Sequence, residues 1–133
     1  MPSAMGAAQI AIYSRLKTAW ADATPIQWPG ATFTPPNKSP WLGVEVLWGD
    51  GFELSMASTN GNRAVGVIHV RVYGPRAEGR GSIMVKADAV RDVFNRVAFS
   101  GVRCGVPSGP KAVDDPEWEV VAVTVPFTIE ETT

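Results

Sequence analysis

The stretch 117–129 constrains the fold most. Trp118, Val120, Ala122 and Thr124 alternate with Val121, Val123, Val125 and Phe127. A period of two puts these sets on opposite faces of one long strand. Valine, stiff at χ1, suits a pleated surface better than a helix. Such a strand requires a sheet around it. Pro126 lacks an N–H, which predicts an edge or a bulge at that point.

Two further stretches read as strands. In 41–48, Leu42, Val44, Val46 and Trp48 share one face, while Gly43, Glu45 and Leu47 share the other. In 65–73, Ile68, Val70 and Val72 face one way, and His69, Arg71 and Tyr73 the other. Between them, Phe52, Leu54 and Met56 alternate with polar residues, and Asn60–Gly61 is a hairpin signal. Short strands are expected at 26–28 and 102–106, with a loop at 107–110.

Two stretches have the helical period instead. Over 5–22, Ala8, Ile12, Leu16 and Trp20 recur every four residues. Over 83–98, Ile83, Ala87, Val90, Phe94 and Val97 form a stripe, with Ser82 as the expected N-cap. Prolines at 25 and 29 exclude helix after the first of these. Residues 29–40 and 74–81 read as loops. The expected architecture is α+β, a single domain over 1–133. Its sheet is antiparallel or mixed, of about four to five strands, with two α-helices packed on one face.

Composition narrows the function. The chain has 133 residues, 45% hydrophobic and 19% charged, with a net charge of −1. That balance disfavours a nucleic-acid binder with a dominant basic face. One cysteine and one histidine leave no disulfide framework and no basis for a cysteine/histidine zinc site. No stretch is long and apolar enough for a membrane helix, and no signal peptide is read at the start. Assembly in the cytoplasm is expected. The charge is unevenly placed, however. Residues 63–103 carry eight basic and three acidic groups, net +5; residues 104–133 carry one basic and six acidic groups, net −5. This pattern fits charge balance within one fold, or complementary faces meeting between subunits.

The chemical motifs are weak. Gly74 and Gly79 have phosphate-loop spacing, but Arg80 and Gly81 stand where the loop needs lysine and a hydroxyl. His69 reads as a packed or solvated side chain, and Cys104 as a small buried one. Asp114, Asp115 and Glu117 supply too few spaced oxygens for a calcium loop. No catalytic residue, metal site or cofactor is expected, and the chain does not read as an enzyme. Five tryptophans are more informative, because Trp28, Trp41, Trp48 and Trp118 sit at loop–strand boundaries. Most belong to a core, and one or two to an interface.

An ordered set of segments carries a resemblance. A helix around Ile12 to Trp20 is followed by Ile26, Gln27, Trp28 and Pro29, then by Phe33, Thr34, Pro35 and Pro36. After Pro40 come Trp41, Leu42, Gly43, Val44, Glu45, Val46 and Leu47. A strand closing in Val72, Tyr73, Gly74 and Pro75 leads through a glycine-rich loop to an amphipathic helix. The run from Trp118 to Phe127 completes the order. In this order the chain resembles the tail terminator family of long-tailed (siphovirus-like) bacteriophages.

The resemblance implies a structural virion protein at the head-proximal end of the tail. It implies a hexameric ring that caps the tail tube, stops its polymerisation and receives the head or neck. The implied partners are other copies of the chain, the major tail tube protein, a head-completion (stopper) protein and the end of the tape-measure protein. DNA passes through the lumen without sequence-specific binding, and no membrane is involved. The candidate subunit or tube interface comprises Trp48, Asp50, Phe52, Arg63, Arg76, Arg80, Asp114 and Asp115. Charge reversal at Arg76 and Arg80 is expected to weaken ring formation or docking. The alternatives are a head–tail joining or tail-completion neck protein and a small α+β ligand-binding or enzymatic domain.

Overall fold

The computed structural model describes residues 4–21, 23–36, 38–49 and 61–132, with the side chains of these except 4, 5, 61–64, 78 and 130–132. Helix α1 (Ala4–Trp20) leads into β1 (Ile26–Gln27) and β2 (Trp41–Trp48). Next come β3 (Gly61–Pro75), a 3₁₀ turn (Arg76–Glu78) and helix α2 (Gly81–Phe94). Four strands follow: β4 (Ala98–Phe99), β5 (Val102–Cys104), β6 (Ser108–Val113) and β7 (Trp118–Thr132).

Among the described residues the strands form one mixed sheet of seven, in the order β1-β2-β3-β7-β5-β4, with β6 also paired to β7. Its spine is the antiparallel pair β3–β7, in register from Gly61 opposite Thr132 to Pro75 opposite Trp118. β1 is parallel to β2, and the other pairs are antiparallel. Pro126 falls where β7 changes partner: β6 pairs with 120–124, and β5 with 127–129. Its carbonyl accepts from Gly105 N–H at 2.8 Å on that side. The missing proline N–H therefore falls in the gap between two partners, where no ladder bond is lost.

Both described helices lie on one face. Ala8, Ile12, Leu16 and Trp20 of α1 are buried together with Ile83, Ala87, Val90 and Phe94 of α2. Beneath them are Leu42, Val44, Ile68, Val70, Val72, Val121, Val123, Val125 and Phe127. Arg15 ties the helices, its Nε donating to Val93 O at 2.8 Å and its guanidinium lying 5.0 Å from the Phe99 ring centroid. The end of α1 is satisfied locally. Ala21 turns left-handed at φ 50, and Trp20 Nε1 donates to the buried Thr24 hydroxyl at 2.9 Å. The Thr24 hydroxyl in turn donates to Pro25 O at 3.2 Å.

Four sequence expectations need correction. The sheet has seven strands among the described residues, because β1, β4 and β5 are two or three residues long and β6 runs through the Gly109–Pro110 segment read as a loop. β6 is almost wholly exposed, so it shows no apolar alternation. Ser82 does not cap α2. The N-cap is Arg80, without a side-chain cap bond, and Ser82 lies inside the first turn. α2 stops at Phe94, since Asn95 is extended and Arg96 has φ 53. Val97 instead accepts Cys104 N–H at 2.8 Å. Gly74 and Pro75 close β3 rather than opening a loop. The expected alternation at 52–56 lies outside the described residues.

Candidate assembly surfaces

The sheet face opposite the helices bears three bands. At one end Trp41 stacks on Tyr73, centroids 3.7 Å apart and planes 1° from parallel. Trp118 meets Trp41 edge-on at 5.8 Å, and Phe33 lies 5.0 Å away. With Val120 these make a second small apolar cluster. Strand register brings them together: Trp41 is opposite Tyr73, which is opposite Val120. Offset and edge-on aromatic contacts add to plain area burial. Burial pushes the Tyr73 hydroxyl above its ordinary pKa.

The middle band is polar. Glu45, His69 and Thr124 are cross-strand neighbours. His69 Nδ1 lies 3.3 Å from Thr124 Oγ1. Burial, then the Arg71 charge, lowers the His69 pKa, and Glu45 opposes them. The Arg71 guanidinium stands 6.0 Å from the Tyr73 centroid, and its Nε has no hydrogen-bond partner among the described residues. The third band is apolar: Leu47, Val67 and Pro126 lie side by side, with Leu47 47% exposed.

The sequence-derived interface residues fall into separate places. Trp48 is half-buried on the helix side, where Nε1 donates to Gln9 Oε1 at 3.1 Å and the ring meets Phe127 edge-on at 5.1 Å. Asp50 and Phe52 lie outside the described residues. Arg63 is on β3, in register with Glu130. Arg76, Arg80 and Asp115 come together at the far end of the β3–β7 pair. Arg76 donates to the Asp115 carbonyl, and Arg80 Nε pairs with Glu119 Oε1 at 2.6 Å. The Asp115 carboxylate accepts Glu117 N–H and Trp118 N–H, both at 2.9 Å. Asp114 beside it is exposed. Basic and acidic segments therefore meet inside the subunit at this corner. Reversing Arg76 or Arg80 disturbs the subunit as well as any neighbour.

A cleft of about 670 Å³ borders this corner, lined by Pro35, Pro36, Lys38, Pro75, Arg76 and Trp118 among others. Cys104 belongs to the helix-side core, and His69 to the opposite face, so the sheet separates them. Burial pushes the Cys104 thiol up to about 11, which keeps it protonated and poorly nucleophilic. Among the described residues no cluster of three His, Cys, Asp or Glu side chains could hold a metal ion. No described helix is long and apolar enough to cross a membrane. The aromatic cluster was visible in the sequence only as tryptophans at strand ends; its assembly depends on register.

These features define a two-layer α+β protein with both described helices on one side of its sheet. A solved structure that bears no functional name shares this fold. It is 20% identical, aligns with a TM-score of 0.64, and covers 91% of this chain and 94% of its own. No curated protein matches the sequence. The family model described as phage tail terminator protein matches residues 8–127, and the chain belongs to that family. It is a structural protein of the phage tail. Membership implies a non-enzymatic role, a place in the virion and association with other tail proteins.

Proposed function

We propose that this chain forms a hexameric ring on the head-proximal end of the tail tube. The ring arrests tube polymerisation and offers its upper surface to the head-completion protein. The tape-measure protein ends beneath it, and DNA passes through its lumen. The observation that carries this reading is the family match over nearly the whole chain. The surface is compatible with it. A closed ring needs two different, complementary patches on each subunit. Exposed apolar side chains occur at separated sites, including Ile10 on α1, Val85 on α2, Leu47 on β2 and Val113 on β6. The lumen needs no base-reading groups, because non-specific phosphate contacts let a duplex slide.

Purified protein mixed with uncapped tubes tests the reading. Negative-stain electron microscopy should show one ring at one end of each tube, and that capped end should not extend when tube protein is added. Continued growth at the ring-bearing end, or tubes that bear no ring, would contradict it.

A further inference from the structure

Among the described residues the sheet leaves two edges open. β1 covers only Leu42 and Gly43 on the free side of β2. The remainder of that side meets no strand among the described residues. Two hydrogen bonds fix which groups face it. Leu42 N–H donates to Pro25 O at 3.0 Å, away from β3, whereas Gly49 N–H donates to Val65 O at 2.8 Å, toward β3. Alternation along the strand then turns the N–H and C=O of Val46 and Trp48 outward.

The second edge is β6, bonded only to β7 among the described residues. Pro126 O faces the β5–β6 side of β7, so Ala122, four residues before it, faces β6 as well. Its partner Lys111 points its backbone back at β7, and Ala112 points outward. Open edges are templates for strand addition. Charge decides which edges can meet. Glu45 and Lys111 are both exposed and lie on the face opposite the helices. Pairing β2 with β2 sets glutamate near glutamate, and β6 with β6 sets lysine near lysine. Only β2 with β6 matches opposite charges, and that contact is head-to-tail, which is the kind that closes rings.

We propose that β6 of one subunit adds to the open edge of β2 of the next, joining the sheets around the ring. The inference rests on the ring reading above. β6 is antiparallel to β7 and β2 runs parallel to β7, so a neighbour that continues the sheet meets β2 antiparallel. Val46 and Ala112 both turn their backbones outward and their side chains to the helix side, and they face each other. Leu47 then stands opposite Lys111, and Glu45 opposite Val113. Glu45 and Lys111 become diagonal neighbours, within reach of long side chains. Leu47 and Val113, 47% and 38% exposed in the subunit, become diagonal neighbours too.

A cysteine pair tests the register. Leu47 and Lys111 form a non-hydrogen-bonded pair with Cα atoms about 4.5 Å apart, within disulfide range. L47C/K111C protein, supplied to phage lacking the gene, is recovered in tails, oxidised and run on a non-reducing gel. A ladder rising to the hexamer is expected from the double variant, and monomer from each single variant. Monomer alone from tails that contain the double variant would overturn the proposal. Charge exchange gives an independent arm. E45K and K111E should each lower phage yield at least about tenfold, and E45K/K111E should restore it to within about threefold. Failure of the exchange to restore yield would overturn the edge pairing. The ring reading stands or falls separately, on whether phage lacking the gene lose tail-length control.

Discussion

Gly66→Ala is predicted to destabilise the fold through one close approach. Gly66 lies on the helix side of β3, opposite both Trp48 and Phe127. A Cβ there would sit 2.7 Å from Leu47 O and 2.9 Å from Phe127 Cζ. The carbonyl belongs to the β2 backbone, and Phe127 is buried edge-on against Trp48 at 5.1 Å. Neither neighbour can yield without moving the sheet or unseating the aromatic pair. Overpacking of this kind costs about 1–3 kcal/mol. Removing a glycine from the unfolded chain returns about 0.4–1 kcal/mol. The net loss is about 1–2 kcal/mol at mid-range, or a fall in Tm of about 4–7 °C for a chain this long. Gly81→Ala is the control: it opens α2 with nothing within 4 Å of an added Cβ, and it should leave Tm unchanged or slightly higher. Thermal unfolding followed by circular dichroism reads both. If Gly66→Ala melted with Gly81→Ala, within about 1 °C, the close-approach argument would be refuted.

Cys104 should resist a disulfide thiol reagent at pH 8 in the native state, and react at least about a hundredfold faster once urea unfolds the chain; comparable rates would mean that the thiol is not buried. Because the His69 pKa is lowered on folding, the unfolded chain takes up that proton first. Stability should therefore decline as pH falls below 6.5, the ordinary value, toward the folded pKa, and be indifferent to this group above 6.5. Urea midpoints at pH 7 and 5.5 check this, and His69→Asn should show the shallower decline. Arg80→Glu should cost under about 1 kcal/mol, because its pair with Glu119 is partly solvent-exposed. Adding Glu119→Arg should recover the melting temperature. Tail assembly lost in the single variant and regained in the double would place the role of Arg80 inside the subunit.

Much of the layering was legible because it rests on local periodicity. The four-residue recurrence from Ala8 to Trp20 and the alternation around Val121 and Val123 each name the buried face directly. β6 escaped, since Gly109 and Pro110 signal a turn and its exposed residues carry no alternation. The end of α2 escaped because Val97 continues the apolar stripe while the backbone has already turned at Arg96. The candidate surfaces were less legible. Tyr73 meets Trp41 across strands, and Arg80 meets Glu119 across 39 positions, so both depend on register. The segmental charges of +5 and −5 were readable, but not that Arg76 and Arg80 turn to the acidic segment of their own chain. The two open edges follow from which strand stops where, and no window of sequence contains that information.

The central claim concerns arrest of tube growth, and the length of the tails tests it most directly. Lysates of the parent phage lacking this gene should be imaged by electron microscopy. Abnormally long, headless tails are predicted, with normal length restored when the gene is supplied in trans. Tails of normal length lying beside filled, tailless heads would contradict the account and make this chain a joining protein of the neck.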